Sequence, residues 1–123
     1  LLMVDDSCTN VLTIICEDKP TMIDSIIKDE FSTDSLPVKS YKVKTRGHHG
    51  FVVEMNTNWR PDTEWLNYLV KKYPLIWVKN EWYEESGMAG IYVNGYLDGS
   101  VVEPIDTCWK ELSKECKANI LIK

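Results

Sequence analysis

The chain has 123 residues, 44% of them hydrophobic, and a formal net charge of −5. This length predicts a single domain over residues 1–123 with enough apolar side chains for its own core. The acidic balance argues against a general binder of nucleic acid or of anionic membranes. No apolar run reaches the roughly 20 residues that span a bilayer, so we expect no membrane partner and an intracellular, non-secreted protein.

The first half of the chain predicts a strand, a helix and a hairpin. Residues 11–17 predict a strand that enters the core, in which Leu12, Ile14 and Cys16 face one way. Residues 20–31 begin with a proline and repeat apolar side chains at helical spacing. Residues 39–46 and 51–57 predict two antiparallel strands, because the glycines that flank the intervening pair of histidines permit positive φ angles.

The second half predicts a longer helix, a second hairpin and a C-terminal helix. A proline at the first helical position and a Tyr-Pro stop bound a helix over residues 61–73. Residues 75–83 and 90–97 have the aromatic and β-branched content of strands. The apolar face of the C-terminal helix would consist of Ile105, Cys108, Trp109, Leu112 and Cys116.

The predicted order of elements favours an α+β fold. Strand–helix–strand crossovers are right-handed, and here they are combined with hairpins. We therefore predict a ferredoxin-like sandwich, in which an antiparallel sheet carries helices packed mainly on one face, with a C-terminal helix added.

Four short motifs follow one another in residues 8–90. Residues 8–14 read Cys-x-Asn-x-Leu-x-Ile, residues 57–61 read Thr-x-Trp-x-Pro, a Tyr-Pro pair ends the second helix, and residues 83–87 read Tyr-x-Glu-x-Gly before an Ala-Gly pair. In this order they resemble the ferredoxin-like domain family of uncharacterised phage, plasmid and large-virus proteins. Where that family commonly has two prolines, this chain has Arg60-Pro61, and its tail from Asp98 matches no family segment.

The resemblance implies a fold and a setting. The setting is a protein made by a virus or mobile element in the cytoplasm of its host cell. It implies no enzymatic activity, because the family carries no established reaction.

The residues themselves also predict no enzyme, no cofactor and no metal site. Glu81, Glu84 and Glu85 lie near a hairpin turn, where carboxylates more often form a solvated rim than an acid–base pair. No motif ties the two adjacent histidines to a nucleophile, and both lie far in sequence from every cysteine. The apolar surroundings of the cysteines predict four reduced, buried thiols, Cys8, Cys16, Cys108 and Cys116.

A basic stripe is predicted within residues 39–49. Lys42, Lys44 and Arg46 alternate along a strand and are therefore expected to project from one face or edge, with Tyr41 and His48 nearby. Clustered positive charge attracts phosphates, and an adjacent aromatic ring can stack on a base. These five residues are the candidate anion or nucleic-acid site. The alternative is a solvated strand face, or an edge strand that its lysines protect from unwanted pairing.

Aromatic residues predict a second kind of site, a protein interface. Residues 75–83 carry large apolar groups on both faces, so helices on one side of the sheet would leave part of that surface exposed. Candidate interface residues are Trp77, Trp82 and Tyr92. We expect a homodimer, and a non-catalytic interaction protein that binds an unidentified host or viral protein. The alternatives are a nucleic-acid-binding module that uses the basic strand, or aromatic residues that only fill the core.

Overall fold

The structure is a computed structural model, and it describes residues 7–32, 36, 40–85 and 87–109. Strands account for 51% of these residues and helices for 21%. Two helices of 10 residues each interrupt the strands. In chain order the elements are β1 (Ser7–Ile15), α1 (Thr21–Glu30), β2 (Ser40–Arg46), β3 (Gly50–Asn58), α2 (Thr63–Lys72), β4 (Trp77–Glu84), β5 (Ala89–Leu97), β6 (Ser100–Val101) and β7 (Ile105–Trp109).

These strands form one seven-stranded sheet in which every pairing is antiparallel. Its order is β2-β3-β1-β4-β5-β6, and β7 pairs with β5 along a different stretch of that strand. Strand β1 therefore lies inside the sheet, between β3 and β4. Strand β2 lies at one edge of the described sheet.

The prediction of a ferredoxin-like sandwich with a C-terminal helix is wrong. A large antiparallel sheet dominates the described residues, and the segment assigned to the start of that helix is a strand. Ile105 pairs with Val93, and Trp109 pairs with Ala89. The physical reason is that an open side of β5 supplies ladder hydrogen bonds to this segment, which a helix could not use. The rest of the predicted helix lies outside the described residues.

The core forms where both helices pack on one face of the sheet. Buried and half-buried residues alternate strictly along β1, as expected for a strand with one covered face. Helix α2 begins two residues later than predicted, because Asp62 rather than a proline caps it: the Asp62 carboxylate accepts a hydrogen bond from the Trp65 backbone N–H at 3.0 Å. The core includes Leu12, Ile14, Ile23, Ile26, Phe51, Val53, Leu66, Leu69, Ile76 and Val78.

One polar network lies inside this apolar core. The Asn10 side-chain amide donates to the Thr57 hydroxyl at 3.0 Å and to the Met55 carbonyl at 3.3 Å. The Asn80 amide donates to the Asn10 side-chain oxygen at 2.8 Å. Asn10 and Asn80 are both fully buried, so these contacts join β3, β1 and β4 through side chains as well as through the backbone.

Candidate functional sites

The predicted basic stripe is divided by an irregularity in β2. Pairing between β2 and β3 shifts register between Val43 and Thr45, so that Lys44 is the extra residue of a β-bulge. Lys42 pairs with Glu54, whereas Arg46 pairs with Phe51, which faces the helices. The bulge inverts the alternation, so Lys42 and Arg46 do not share one face of the sheet, although all three residues belong to edge strand β2.

The other residues of the predicted stripe either contact residues outside it or lie apart from the two lysines. Arg46 forms an ion pair with Asp24 of α1. The Tyr41 hydroxyl donates to the Phe31 carbonyl at 2.7 Å, on the helix side of the sheet. His48 is exposed in the turn between β2 and β3. These five residues therefore do not form one continuous basic surface in the structure. Their binding of nucleic acid stays a prediction.

Two of the three predicted interface aromatics lie in the interior. Trp82 and Tyr92 are each 4% exposed and face the helices. The indole of Trp82 lies against Gly90, where a Cβ atom would come within 2.5 Å of the ring. Only Trp77 is half-buried on the opposite side of the sheet, beside Ile15 and Gly95. Trp82 and Tyr92 therefore do not contribute to a surface in this conformation.

The side of the sheet opposite the two helices, called here the open face, carries a broad set of apolar side chains. Both helices and the buried core residues lie on the other side of the sheet. Its charged residues are balanced, because Lys42 and Lys79 accompany Glu54 and Glu81, and Lys79 lies 3.1 Å from Glu81. Cross-strand pairing places on this face Val11, Ile15, Val52, Trp77, Tyr83, Ile91, Val93, Ile105 and Trp109.

A tryptophan in an unusual backbone conformation follows β3. Trp59 has a φ of 68° and is 63% exposed, although left-handed geometry is unfavourable for a bulky side chain. Hydrogen bonds from the Arg60 N–H to the Asn58 carbonyl at 2.7 Å and from the Thr57 hydroxyl to the Arg60 carbonyl at 2.8 Å hold the turn. Trp59 is the tryptophan of the Thr-x-Trp-x-Pro motif, and no local sequence pattern indicates that its side chain is exposed.

A charged cluster joins the two helices. Glu30 is 4% exposed, and its carboxylate accepts hydrogen bonds from the Tyr73 hydroxyl at 2.6 Å, the Lys72 ammonium at 2.8 Å and the Tyr68 hydroxyl at 3.1 Å. Burial alone would raise the pKa of Glu30, but the hydrogen bonds from these three side chains outweigh burial and lower it. Burial, and then the hydrogen bond to Glu30, raise the pKa of Tyr73 to about 12.

The described cysteines are free thiols, and two of the three are buried. Burial raises the pKa of Cys8 to about 11, which keeps its thiol protonated at neutral pH. Cys16 is buried as well, but Cys108 is exposed on β7, so the prediction that it is buried is wrong. The fourth cysteine, Cys116, lies outside the described residues. Among the residues that the structure describes, no group of three His, Cys, Asp or Glu side chains is arranged to hold a metal ion.

Comparison of the chain with protein-family models, with curated proteins and with solved structures found no match. The resemblance to a family of phage, plasmid and large-virus proteins therefore stays a prediction. Neither helix of the described chain is long and apolar enough to cross a membrane.

Proposed function

We propose that this protein is a non-catalytic binding protein whose open face forms a protein–protein interface, first of all with a second copy of the chain. The observation that carries the proposal is the apolar open face, where Tyr83 and Ile105 are exposed and the other seven apolar residues named above are half-buried. Single exposed apolar residues are ordinary, but a contiguous apolar surface is typical of an interface.

The balance of charge on the open face favours a second copy as its partner. The whole chain carries a formal net charge of −5, which makes two copies repel each other. On the open face, Lys42 and Lys79 offset Glu54 and Glu81, so this surface lacks the excess negative charge. A two-fold axis through the centre of the face would set Lys79 of one copy near Glu81 of the other, which is the self-complementarity that a symmetric dimer requires.

The open face is also large enough for a stable dimer. Five neighbouring strands, β3, β1, β4, β5 and β7, lie about 4.8 Å apart, and about eight residues of strand extend roughly 26 Å. The flat area of these strands is therefore roughly 600 Å², and the side chains that project from it add to the surface. Each partner in a standard interface buries roughly 800 Å², which is of similar size.

The shifted pKa values of the described residues support a non-catalytic protein. General acid–base catalysis works best with a pKa near the operating pH. Here the pKa of Cys8 and that of Tyr73 are raised away from neutrality, and the pKa of Glu30 is lowered away from it. These shifts do not prepare a base or nucleophile for neutral pH.

The test is the mass of the protein in solution, measured by light scattering after size exclusion over a concentration series. We expect a dimer at about 100 µM, which is well above the Kd of an interface of micromolar affinity. Val93→Glu places a charge on the open face and should give a monomer. Val43→Glu is the matched control, since Val43 is exposed on the helix side of edge strand β2 and its variant should stay dimeric. A monomeric wild type at this concentration would exclude the dimer.

Nucleic-acid binding is the second candidate, and the bulge at Lys44 weakens it. With Arg46 paired to Asp24, at most Lys42 and Lys44 remain to neutralise phosphates. A plot of log affinity against log salt concentration should then have a slope no steeper than about −1.8. Fluorescence anisotropy with a labelled duplex and a labelled single strand measures this slope. A slope near −3 would show instead that Arg46 leaves Asp24 to join the site.

A further inference from the structure

A polar groove runs along one side of α2, away from the open face. It lies between α2 and β5 and has a volume of 720 Å³, within the range of about 300–1,000 Å³ that is typical of ligand sites. Glu64, Asn67 and Lys71 follow one another at helical spacing along this side of α2. The groove is lined by Glu64, Asn67, Tyr68, Val70, Lys71 and Asn94, together with Lys72.

Two side-chain amides are held in place at the middle of the groove. The hydroxyl of Tyr92 donates to the Asn67 side-chain oxygen at 2.7 Å and accepts from the Asn94 amide at 3.2 Å. The Asn94 side-chain oxygen accepts from the Gly95 backbone N–H at 2.8 Å. Because Tyr92 is buried, these contacts fix both amides before any ligand arrives, which lowers the entropy cost of binding. An amide presents both a donor and an acceptor, the same groups that a peptide bond presents.

The charges of the groove are ordered along its length. Glu64 lies in the first turn of α2 and Lys71 in the last, seven residues away, which is about 10 Å along the helix axis. Within the described part of the chain, neither side chain forms an ion pair. Lys72 is already engaged, since its ammonium lies 2.8 Å from Glu30. The groove therefore has a free negative charge at one end and a free positive charge at the other.

We propose that this groove binds a peptide segment in polyproline II conformation, with a basic residue at the Glu64 end and an acidic residue three positions away at the Lys71 end. Residues three apart in this conformation project from the same side and are separated by about 9 Å, which is close to the roughly 10 Å between the two charges. Peptide groups between the charged residues would meet the amides of Asn67 and Asn94. A nucleic-acid strand fits less well, because its uniformly negative backbone would meet the Glu64 carboxylate. This inference does not depend on the open face.

The probes are two short peptides, Lys-Ala-Ala-Glu and Glu-Ala-Ala-Glu, each acetylated and amidated and titrated by NMR up to about 1 mM. The first peptide can place its lysine near Glu64 and its glutamate near Lys71 in one of the two chain directions, whereas the second places a glutamate near Glu64 in either direction. Wild-type protein should discriminate between the peptides by about tenfold in Kd, with the largest chemical-shift changes at the Asn67 side-chain amide.

Glu64→Lys should invert the preference, because it makes both ends of the groove positive. The matched control is Asp29→Lys, an equal change of charge at an exposed position of α1, which should leave the preference as in the wild type. Both positions are exposed, so the variants are expected to fold, and circular dichroism checks this. Equal affinity of wild type for both peptides, no binding of either, or an unchanged preference in the groove variant would overturn the proposal.

Discussion

Replacing Tyr73 by phenylalanine should lower the free energy of unfolding by about 1.5–3 kcal/mol at neutral pH, which is the usual worth of a hydrogen bond to a charged group. The lost hydroxyl donates to the Glu30 carboxylate at 2.6 Å, the shortest of the three hydrogen bonds to that oxygen. Glu30 is 4% exposed, so water does not readily replace the missing donor. The ring itself is retained, so the decrease in the free energy of unfolding measures the contribution of the hydroxyl group alone.

The same substitution should change how stability depends on pH. The pKa of Glu30 is lower in the folded protein than its ordinary value of 4.5, so the stabilisation is present above about pH 4.5 and disappears as the pH falls through the folded-state pKa. The pKa of Tyr73 is raised from 10.0 to about 12, so its contribution is complete below pH 10.0 and is lost as the pH rises toward 12. The difference between wild type and variant should thus be largest between these two limits.

Urea unfolding at about pH 3, 7 and 11 measures both effects. Tyr68→Phe is the matched control: its hydroxyl lies 3.1 Å from Glu30 and its side chain is 42% exposed. It should cost less than about 1 kcal/mol, because water can replace the donor. The reasoning would be refuted if the two variants lost equal stability at neutral pH, or if the Tyr73 variant lost as much at about pH 3 as at pH 7.

Three further substitutions and reactions test other parts of the structure. Gly90→Ala should cost about 1–3 kcal/mol in thermal unfolding, since the new methyl group would meet the Trp82 ring at 2.5 Å and the Thr107 backbone carbonyl at 2.6 Å; unchanged stability would contradict this close packing of β5. Asp62→Ala should cost about 1 kcal/mol, because the first turn of α2 loses its cap, and chemical denaturation followed by circular dichroism measures the loss. Brief alkylation followed by peptide mapping should modify Cys108 and leave Cys8 intact until the protein unfolds. Equal labelling of both thiols would contradict the burial of Cys8.

Local periodicity was sufficient to find most of the elements. The helix predicted over residues 20–31 is observed as Thr21–Glu30, and the one predicted over residues 61–73 as Thr63–Lys72. Both hairpins are confirmed, and the first closes with a hydrogen bond from the Gly47 N–H to the Gly50 carbonyl at 2.8 Å. These features depend on side chains that are close in sequence, where apolar spacing and turn residues leave few alternatives.

The misassigned segment shows where periodicity is ambiguous. Ile105, Cys108 and Trp109 fit the three-and-four spacing of a helix, but Ile105, Thr107 and Trp109 equally fit the alternation of a strand. Five residues are too few for either pattern to exclude the other, and β5, a partner distant in sequence, decides the outcome. The bulge at Lys44 has the same origin, because register is a property of the strand pair and not of one strand.

The candidate sites were less predictable than the fold. The spacing of Glu64, Asn67 and Lys71 is visible in the sequence and could have suggested a polar stripe on α2. Asn94 lies beside this stripe because α2 packs against β5. No local sequence pattern predicts that packing. The open face could be inferred from the two-faced strand, but the burial of Trp82 and Tyr92 could not, since the choice of covered face depends on where the helices pack.

The buried asparagines have a consequence for how the sheet assembles. A chain rich in strands meets many misaligned pairings as it folds, and apolar side chains discriminate poorly among those that keep the same face inward. In the observed alignment Asn10 lies opposite Met55 and Trp82, and it reaches Thr57 and Asn80 diagonally, two residues along each neighbouring strand. A slip of two residues that moves Asn10 away from Asn80 or from Thr57 would keep the apolar pattern but leave the Asn10 side chain without that partner, at about 1–3 kcal/mol. The network thus disfavours misaligned pairings of three strands that apolar side chains alone would accept.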